Sequence, residues 1–431
     1  VTRALAVLLL CAALPALAAD WPQFRGPAQT GAAPADADPP LAWGDDKNLK
    51  WKTPLSGPGS SSPVVVGERV FVTYYTGYGL SRTEPGDPAK LVRHLACLSR
   101  SDGKVMWTAD VPGVTPEDPY RGFIGEHGYA SNSPACDGER VFVFFGKAGV
   151  VAFDLAGKKL WQTSVGTESD VRGWGSAPSP VPYKNLVIVN AASEGRAVVA
   201  LDKVTGKEVW KAEGKRLSLS FSTPAIVKVD DARADLVVAM PNEVWGLNPD
   251  TGKLAWSAAI KLGGGNLSAS VTPGDGVAYV TGGFTTVGMA CVRAGGNGDV
   301  TGTHVVWETK HSSYVPTPAL HAGRLYWLNE NGLMSCADAK TGKLEYEPER
   351  LPGLDAGFAS KPVYASAVVA GGRVYATSRK AGVFVLGAGP KFEPLAHNKL
   401  TDGTDFNGTP AVVGRQMFLR SNKAVYCVEA K

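Results

Sequence analysis

The chain has little of what marks catalytic or nucleic-acid-binding proteins. Only six of its 431 residues are histidine and six are cysteine. His94, His127, His304, His311, His321 and His397 are scattered, and no two stand at the His-x-x-x-His spacing that would favour a zinc site. No two cysteines are adjacent, and no Cys-x-x-Cys-His run offers a c-type haem attachment. A Gly-x-Ser-x-Gly nucleophile elbow is absent. The triplet Gly263–Gly265 does not open a helix, so it cradles no phosphate. The run GGNGDVTGT, 295–303, lacks the spaced carboxylates and final Glu of a calcium loop and predicts a tight inter-strand turn. Lys and Arg total 44 against 40 Asp and Glu, with no basic run, which argues against a nucleic-acid partner. Beyond residue 18, no apolar run is long enough for a membrane span.

Residues 1–18 read as a cleavable signal peptide: Arg3, an apolar stretch over 4–14, then Ala16-Leu17-Ala18. Cys11 is a poor lipidation site, because Leu10 stands where a small residue is needed. An exported chain meets an oxidising compartment. Four of the five remaining cysteines, Cys97, Cys291, Cys336 and Cys427, fall at one repeat position, where other repeats carry Ala152, Ala200, Gly246 and Val385. That position calls for a small residue where two sheets approach, so these cysteines are expected to be buried free thiols, as is Cys136.

What the chain does have is one pattern, eight times over. A Ser/Thr-x-Pro lead-in precedes a short apolar run, a Gly-bearing turn, a second β-rich run, a strand ending in Asp, and a Thr-Gly-Lys-like turn with Trp three residues on. The lead-in prolines are Pro63, Pro134, Pro178, Pro224, Pro273, Pro318 and Pro410, with Ala367 replacing proline in one degenerate copy. The closing aromatics are Trp107, Trp161, Trp210, Trp256, Trp307, Tyr346 and Phe392, one short of eight. The last copy stops before its outer strand, and KNLKWKTPL, with Trp51, supplies the missing one. A period of 40–50 residues with four short strands per copy predicts an all-β, eight-bladed β-propeller of four-stranded antiparallel blades, closed by the N-terminal strand. Residues 19–431 form a single propeller domain on this reading. Insertions at 75–93 and 111–129 are rich in Gly, Pro and charge and read as surface loops.

The segments ALDKVTGKEVW, AFDLAGKKLW, GLNPDTGKLAW and ADAKTGKLEY resemble the tryptophan-docking repeats of PQQ-like, quinoprotein-type propellers, and the arrangement resembles the BamB-like members. WPQFRGP, GDVTGTHVVW and YVPTPALHAGRLYWL are similar to secreted PQQ-like repeat proteins of planctomycete-type bacteria. The resemblance covers about 40–431 and implies the propeller fold. For the family's enzymes it implies pyrroloquinoline quinone with Ca²⁺, a vicinal Cys-Cys ring and an Asp base. This chain has no vicinal cysteines.

The lead-in loops of a propeller converge on one face around its axis. An aromatic precedes most of them: Tyr129, Trp174, Phe221, Tyr314, Tyr364 and Phe406. With Glu126, His127, Arg172, Asn266, His311, Asp405 and Asn407 they form the expected partner-binding face. The functional reading is an exported, periplasmic or secreted, monomeric and non-catalytic scaffold. It binds an envelope or extracellular protein or polymer and needs no cofactor. The alternative is a quinone-dependent oxidoreductase with PQQ and Ca²⁺ in the axial funnel. Export should remove the chain through Ala18 or Ala19. An intact mass that retains Cys11 with a diacylglycerol would overturn that expectation.

Overall fold

The computed structural model describes residues 19–283, 287–354 and 361–430; the expected signal peptide lies outside them. Eight separate sheets follow one another along the chain, each built on four antiparallel strands paired in order, with the outer strand of the last taken from the N-terminal segment. Blade three is representative, with strands Val181–Tyr183, Leu186–Ala191, Ala197–Asp202 and Glu208–Glu213. The second and third strands of a blade are buried on both faces and read as unbroken apolar runs, whereas the outer strand alternates. The apolar clusters lie between neighbouring blades. One joins Phe142 and Val150 of blade two to Val187 and Val199 of blade three. The chain is an eight-bladed β-propeller.

Blade eight is closed as the sequence predicts. Strand Leu49–Pro54 pairs antiparallel with Ala424–Glu429, and Trp51 stands opposite Cys427. The same opposition recurs between Trp107 and Cys97, Trp161 and Ala152, Trp210 and Ala200, Trp256 and Gly246, and Trp307 and Cys291. The repeat position is therefore small because an indole lies across it. A Cβ on Gly246 would sit 2.0 Å from the Trp256 ring. The five cysteines among the described residues are free and buried.

Five of these six indoles also reach the next blade. Trp51, Trp107, Trp161, Trp210 and Trp307 donate their ring N–H to the carbonyls of Arg100, Leu155, Lys203, Pro249 and Ala339, at 2.9–3.2 Å. Their rings lie on Gly103, Gly157, Gly206, Gly252 and Gly342, where a Cβ would approach to 2.4–2.6 Å. These glycines hold positive φ, so they serve both the turn and the contact.

Three expectations need correction. Phe392 is not the closing aromatic of blade seven, because Ala396 pairs with Val385 at that position. Phe392 lies in the turn, where other blades place glycine, and meets Tyr346 of blade six edge-on at 5.8 Å. The Trp/Gly contact has become Tyr/Phe. The 295–303 run is not a tight turn. Gly298–Asp299 adds a parallel fifth strand to blade four, beside Trp256 and Ser257, and Thr301–His304 forms one helical turn. Trp256 therefore has no turn glycine and donates instead to the Asp235 carboxylate at 2.7 Å. The lead-in register also shifts in two blades, as the axial bonding below shows.

The segment before the first blade crosses the ring. Trp21 pairs with Val65 of blade one, and Pro22 O accepts from Cys136 of blade two. Gln29 donates to Pro224 O of blade four at 3.1 Å. Thr30 O accepts from Leu320 of blade six, while Ala33 and Gly31 bond Val369 of blade seven. Arg25, 1% exposed, donates to Gln29 O, Thr30 O, Thr317 O, Pro318 O and Thr272 Oγ1. Among the described residues no carboxylate pairs with it, and burial pulls its guanidinium down to about 9.

Trp51 is buried by this closure. Trp51→Ala should destabilise the protein by about 3–5 kcal/mol, while Leu254→Ala on the exposed outer edge should change stability by less than about 0.5 kcal/mol. Equal unfolding midpoints for the two variants would contradict the closure.

Candidate functional site

The axis is built by one hydrogen-bond circuit. The amide of Ser62 donates to the hydroxyl of Ser133 at 2.8 Å, Ser133 to Ser179 at 3.0 Å, Ser179 to Thr223 at 2.9 Å and Thr223 to Ser270 at 3.1 Å. Ser270 donates to Thr317 at 2.9 Å, Thr317 to Ser366 at 3.0 Å, Ser366 to Thr409 at 3.0 Å and Thr409 back to Ser62 at 2.9 Å. One residue from each blade takes part, and the ring closes. This fixes the lead-in register. In blade three the hydroxyl residue is Ser179, before Pro180 rather than Pro178. In blade five it is Ser270, and Val271 rather than Pro273 follows it.

A cavity of about 140 Å³ lies on this axis. All eight ring hydroxyls line it, and so do the residues two positions earlier in each blade. That offset follows from strand periodicity, since alternate residues share a face. The upper tier is varied: Ser60, Ser131, Ser268 and Asn407 are polar, while Ala177, Phe221, Val315 and Tyr364 are not. Phe24 of the N-terminal segment also lines the cavity, with Phe123, His127 and Trp174. Phe123 comes from the 111–129 insertion, so that segment is not merely a surface loop. Its ring lies 5.0 Å from Trp174 of blade three and 5.8 Å from Tyr364 of blade seven, on opposite sides of the ring. Trp174 continues to Phe221 at 5.6 Å, which completes an aromatic arc.

The expected face residues separate into three groups. Trp174, Phe221, Tyr364, His127 and Asn407 line the cavity. His127 bonds Ser131 Oγ at 2.6 Å and Trp174 O at 2.9 Å, and burial lowers its pKa, favouring neutral imidazole. Arg172, Glu126 and Asp405 stand beside the mouth. Arg172 is exposed and lies 5.0 Å over the Trp174 ring; Arg379 pairs with Glu126 at 3.0 Å and Asp405 at 2.6 Å.

The third group does not line the cavity, and all of it but His311 is buried. Tyr129 is packed among Tyr75, Tyr78 and Tyr120 and donates to Asp118 O at 2.6 Å. Tyr314, 8% exposed, bonds the buried Asn266 at 2.8 Å. Phe406, 9% exposed, packs on Tyr426. His311 is exposed but does not line the cavity. Phe123 and the ring hydroxyls were not singled out from sequence, although the Ser/Thr lead-in was the signal for the hydroxyls.

Beneath the mouth lies a buried charged cluster. Lys147 bonds Asp118 at 2.9 Å and Ser169 at 2.9 Å, and Arg93 pairs with Glu117 at 2.6 Å. Asp170 accepts from the amides of Arg172 and Trp174 at 2.8 Å and of Gly175 at 3.2 Å, which fixes the Trp174 loop. Glu194 is buried with Oε2 unpartnered. Burial first, then Asp118 and Asp170, raise its pKa to about 7.

Among the described residues no helix is long and apolar enough to cross a membrane, and no three His, Cys, Asp or Glu side chains gather to hold a metal ion. A family model described as outer membrane protein assembly factor BamB matches residues 89–239 and 242–431. The chain belongs to the PQQ-like β-propeller repeat family. Within that family's fold, it is similar to BamB from Moraxella catarrhalis, with TM-score 0.58, 13% identity, and 88% and 96% of the two chains covered. It is also similar to a europium-containing methanol dehydrogenase, with TM-score 0.60, 13% identity, and 93% and 89% covered. At such identities the likeness is one of fold. A polyvinylalcohol dehydrogenase from Pseudomonas sp. is 27% identical over 192 residues, 40% of this chain. The match spans only 26% of that relative's length.

Glu194 gives a pH test. Its folded-state pKa lies above the unfolded value, so the charged form is penalised in the fold. Stability contributed by the neutral acid is present at low pH and is lost as pH rises from about 4.5 through 7. Glu194→Gln removes this dependence. Its stability relative to the parent should improve by about 2–4 kcal/mol between pH 4.5 and pH 8, read from denaturation curves. A difference that does not vary with pH would refute the raised pKa.

Proposed function

We propose that the protein is an exported, non-catalytic propeller that binds an envelope or extracellular protein or polymer partner through its lead-in face. The observation carrying this reading is the fixed loop over 170–175. It presents Val171, 80% exposed, with Arg172 stacked over the half-buried Trp174. Arg and Trp are enriched among residues that dominate interfaces. A loop already held by Asp170 loses little conformational freedom on binding. The Glu126, Arg379 and Asp405 cluster adds polar groups beside it. The BamB-described family model supports the same reading, since its name is that of an outer membrane protein assembly factor.

The second reading, an oxidoreductase, draws on the dehydrogenase names of two similar proteins. The axial cavity is where a quinone would sit. Pyrroloquinoline quinone carries carboxylates, and no Arg or Lys lines the cavity to offset them. Burying unpaired carboxylates is costly. Nor do the described residues gather the ligand set that a Ca²⁺ partner would need. These residues do not fit that group, and the scaffold reading is preferred.

Val171 is the cleanest probe, because its exposure predicts a stability change of less than about 0.5 kcal/mol on substitution. Val171→Asp and Arg172→Ala should each weaken partner binding by about 1–4 kcal/mol, measured by quantitative capture from envelope extract and then with the purified partner. Trp174→Ala should impair binding and folding together, since its ring supports Phe123 and Phe221. Unaltered capture by both surface variants would remove the face from the binding reading. Visible absorption changes on adding quinone with Ca²⁺ would favour the oxidoreductase instead.

A further inference from the structure

We propose that the axial cavity binds one small, neutral ring polyol, such as a single sugar unit. The inference is independent of what docks on the outer face.

The hydroxyl circuit sets the chemistry. A Ser or Thr hydroxyl has one O–H and two lone pairs. In the ring each oxygen accepts a neighbouring amide, so its proton and its second lone pair remain for an occupant. Among the described residues none of the eight ring hydroxyls donates to a protein acceptor. The cavity therefore carries a belt of groups that can both give and take hydrogen bonds, as the hydroxyls of a polyol require.

An independent observation points the same way. Asn407 is buried and lines the cavity; its Nδ2 reaches Glu126 O at 3.1 Å, yet its Oδ1 has no partner. A buried carbonyl oxygen left without a donor costs about 1–3 kcal/mol. A neutral O–H is the kind of donor that would satisfy it.

The remaining walls choose the shape and charge. Phe24 closes one part of the cavity, while Phe123, Trp174 and Tyr364 face it from the mouth. Aromatic faces carry partial negative charge and suit the C–H faces of a saturated ring. No Asp, Glu, Lys or Arg lines the space, so an anion or cation would be buried without a counter-charge. A volume of about 140 Å³ admits one such ring rather than an extended chain.

The test is calorimetric titration of the exported protein with glucose, galactose and myo-inositol, and with gluconate and glucosamine as charged counterparts. At least one neutral compound should bind saturably at one site and shift the tryptophan emission. Val315→Phe fills the space without touching the circuit and should abolish that binding. Asn407→Leu and Thr223→Val should weaken it by about three- to tenfold. Unfolding midpoints measured in parallel separate loss of the site from loss of the fold. Binding of a disaccharide would place a chain end there, and its exclusion a free sugar; either keeps the site. No saturable binding by any neutral compound, equal or tighter binding of the charged counterparts, or binding that survives Val315→Phe would overturn the proposal.

Discussion

The fold depends on eight hydrogen bonds that run around its axis. The innermost strand of each blade is a sheet edge, and its first amide has no strand beside it to accept. Water is a poor partner at so narrow a place, and an orphaned buried amide is costly. The answer repeated in every blade is a hydroxyl from the next one, from Ser62 round to Thr409 and back. Each bond contributes about 0.5–1.5 kcal/mol net, but closure matters more than the sum. No blade can move along or away from the axis without leaving two amides unsatisfied. The proline that usually follows the hydroxyl fits the same constraint, because it has no N–H to satisfy and tolerates an edge.

This explains why the architecture was legible and where its register slipped. The outer contact needs Trp, a small residue opposite it, and a turn glycine in the next blade. The inner one needs Ser or Thr. Those residue types recur at fixed offsets because each contact fails without them, and a repeat built this way is visible in one sequence. Proline is the weaker marker. Val271 takes its place in blade five, and Pro178 stands two residues ahead of the true position, so counting prolines misplaced both lead-ins. Phe392 was misread because a compensated pair, Tyr against Phe, keeps the contact while exchanging large and small between blades.

The site was legible only in part, and the reason is parity. Residues two places before a ring hydroxyl share its side of the strand and reach the axis, as Phe221 and Tyr364 do. Residues three places before turn into the wall between blades, which is where Tyr314 and Phe406 lie. Proximity to the lead-in does not tell these apart; the hydroxyl register does. Two further contributors had no repeat to betray them. Phe123 arrives on an insertion whose composition reads as solvent-facing. Arg25 reads as a surface charge, yet it is buried and held chiefly by backbone carbonyls of blade six and of its own segment. An unpaired buried guanidinium is tolerable only where several acceptors are already fixed, and the ends of the inner strands supply them.

The two tiers of the axis separate what the fold needs from what this chain adds. The hydroxyl tier is uniform because every blade requires it for closure. The tier above is free of that duty and varies, with Asn407 opposite Phe221, Val315 opposite Ser131 and two small serines, Ser60 and Ser268, opposite each other. On the proposed readings, specificity would lie in the upper tier and the loops over it. Those loops are not independent of the cavity: His127 bonds the Trp174 carbonyl, and Phe123 spans blades three and seven. An occupant of the axis would touch Trp174, which also lies under Arg172, so the two proposed sites would share a residue. A free-energy coupling between them follows wherever a partner on the face and a molecule on the axis prefer different positions of Phe123 or Trp174, and that coupling must act equally in both directions.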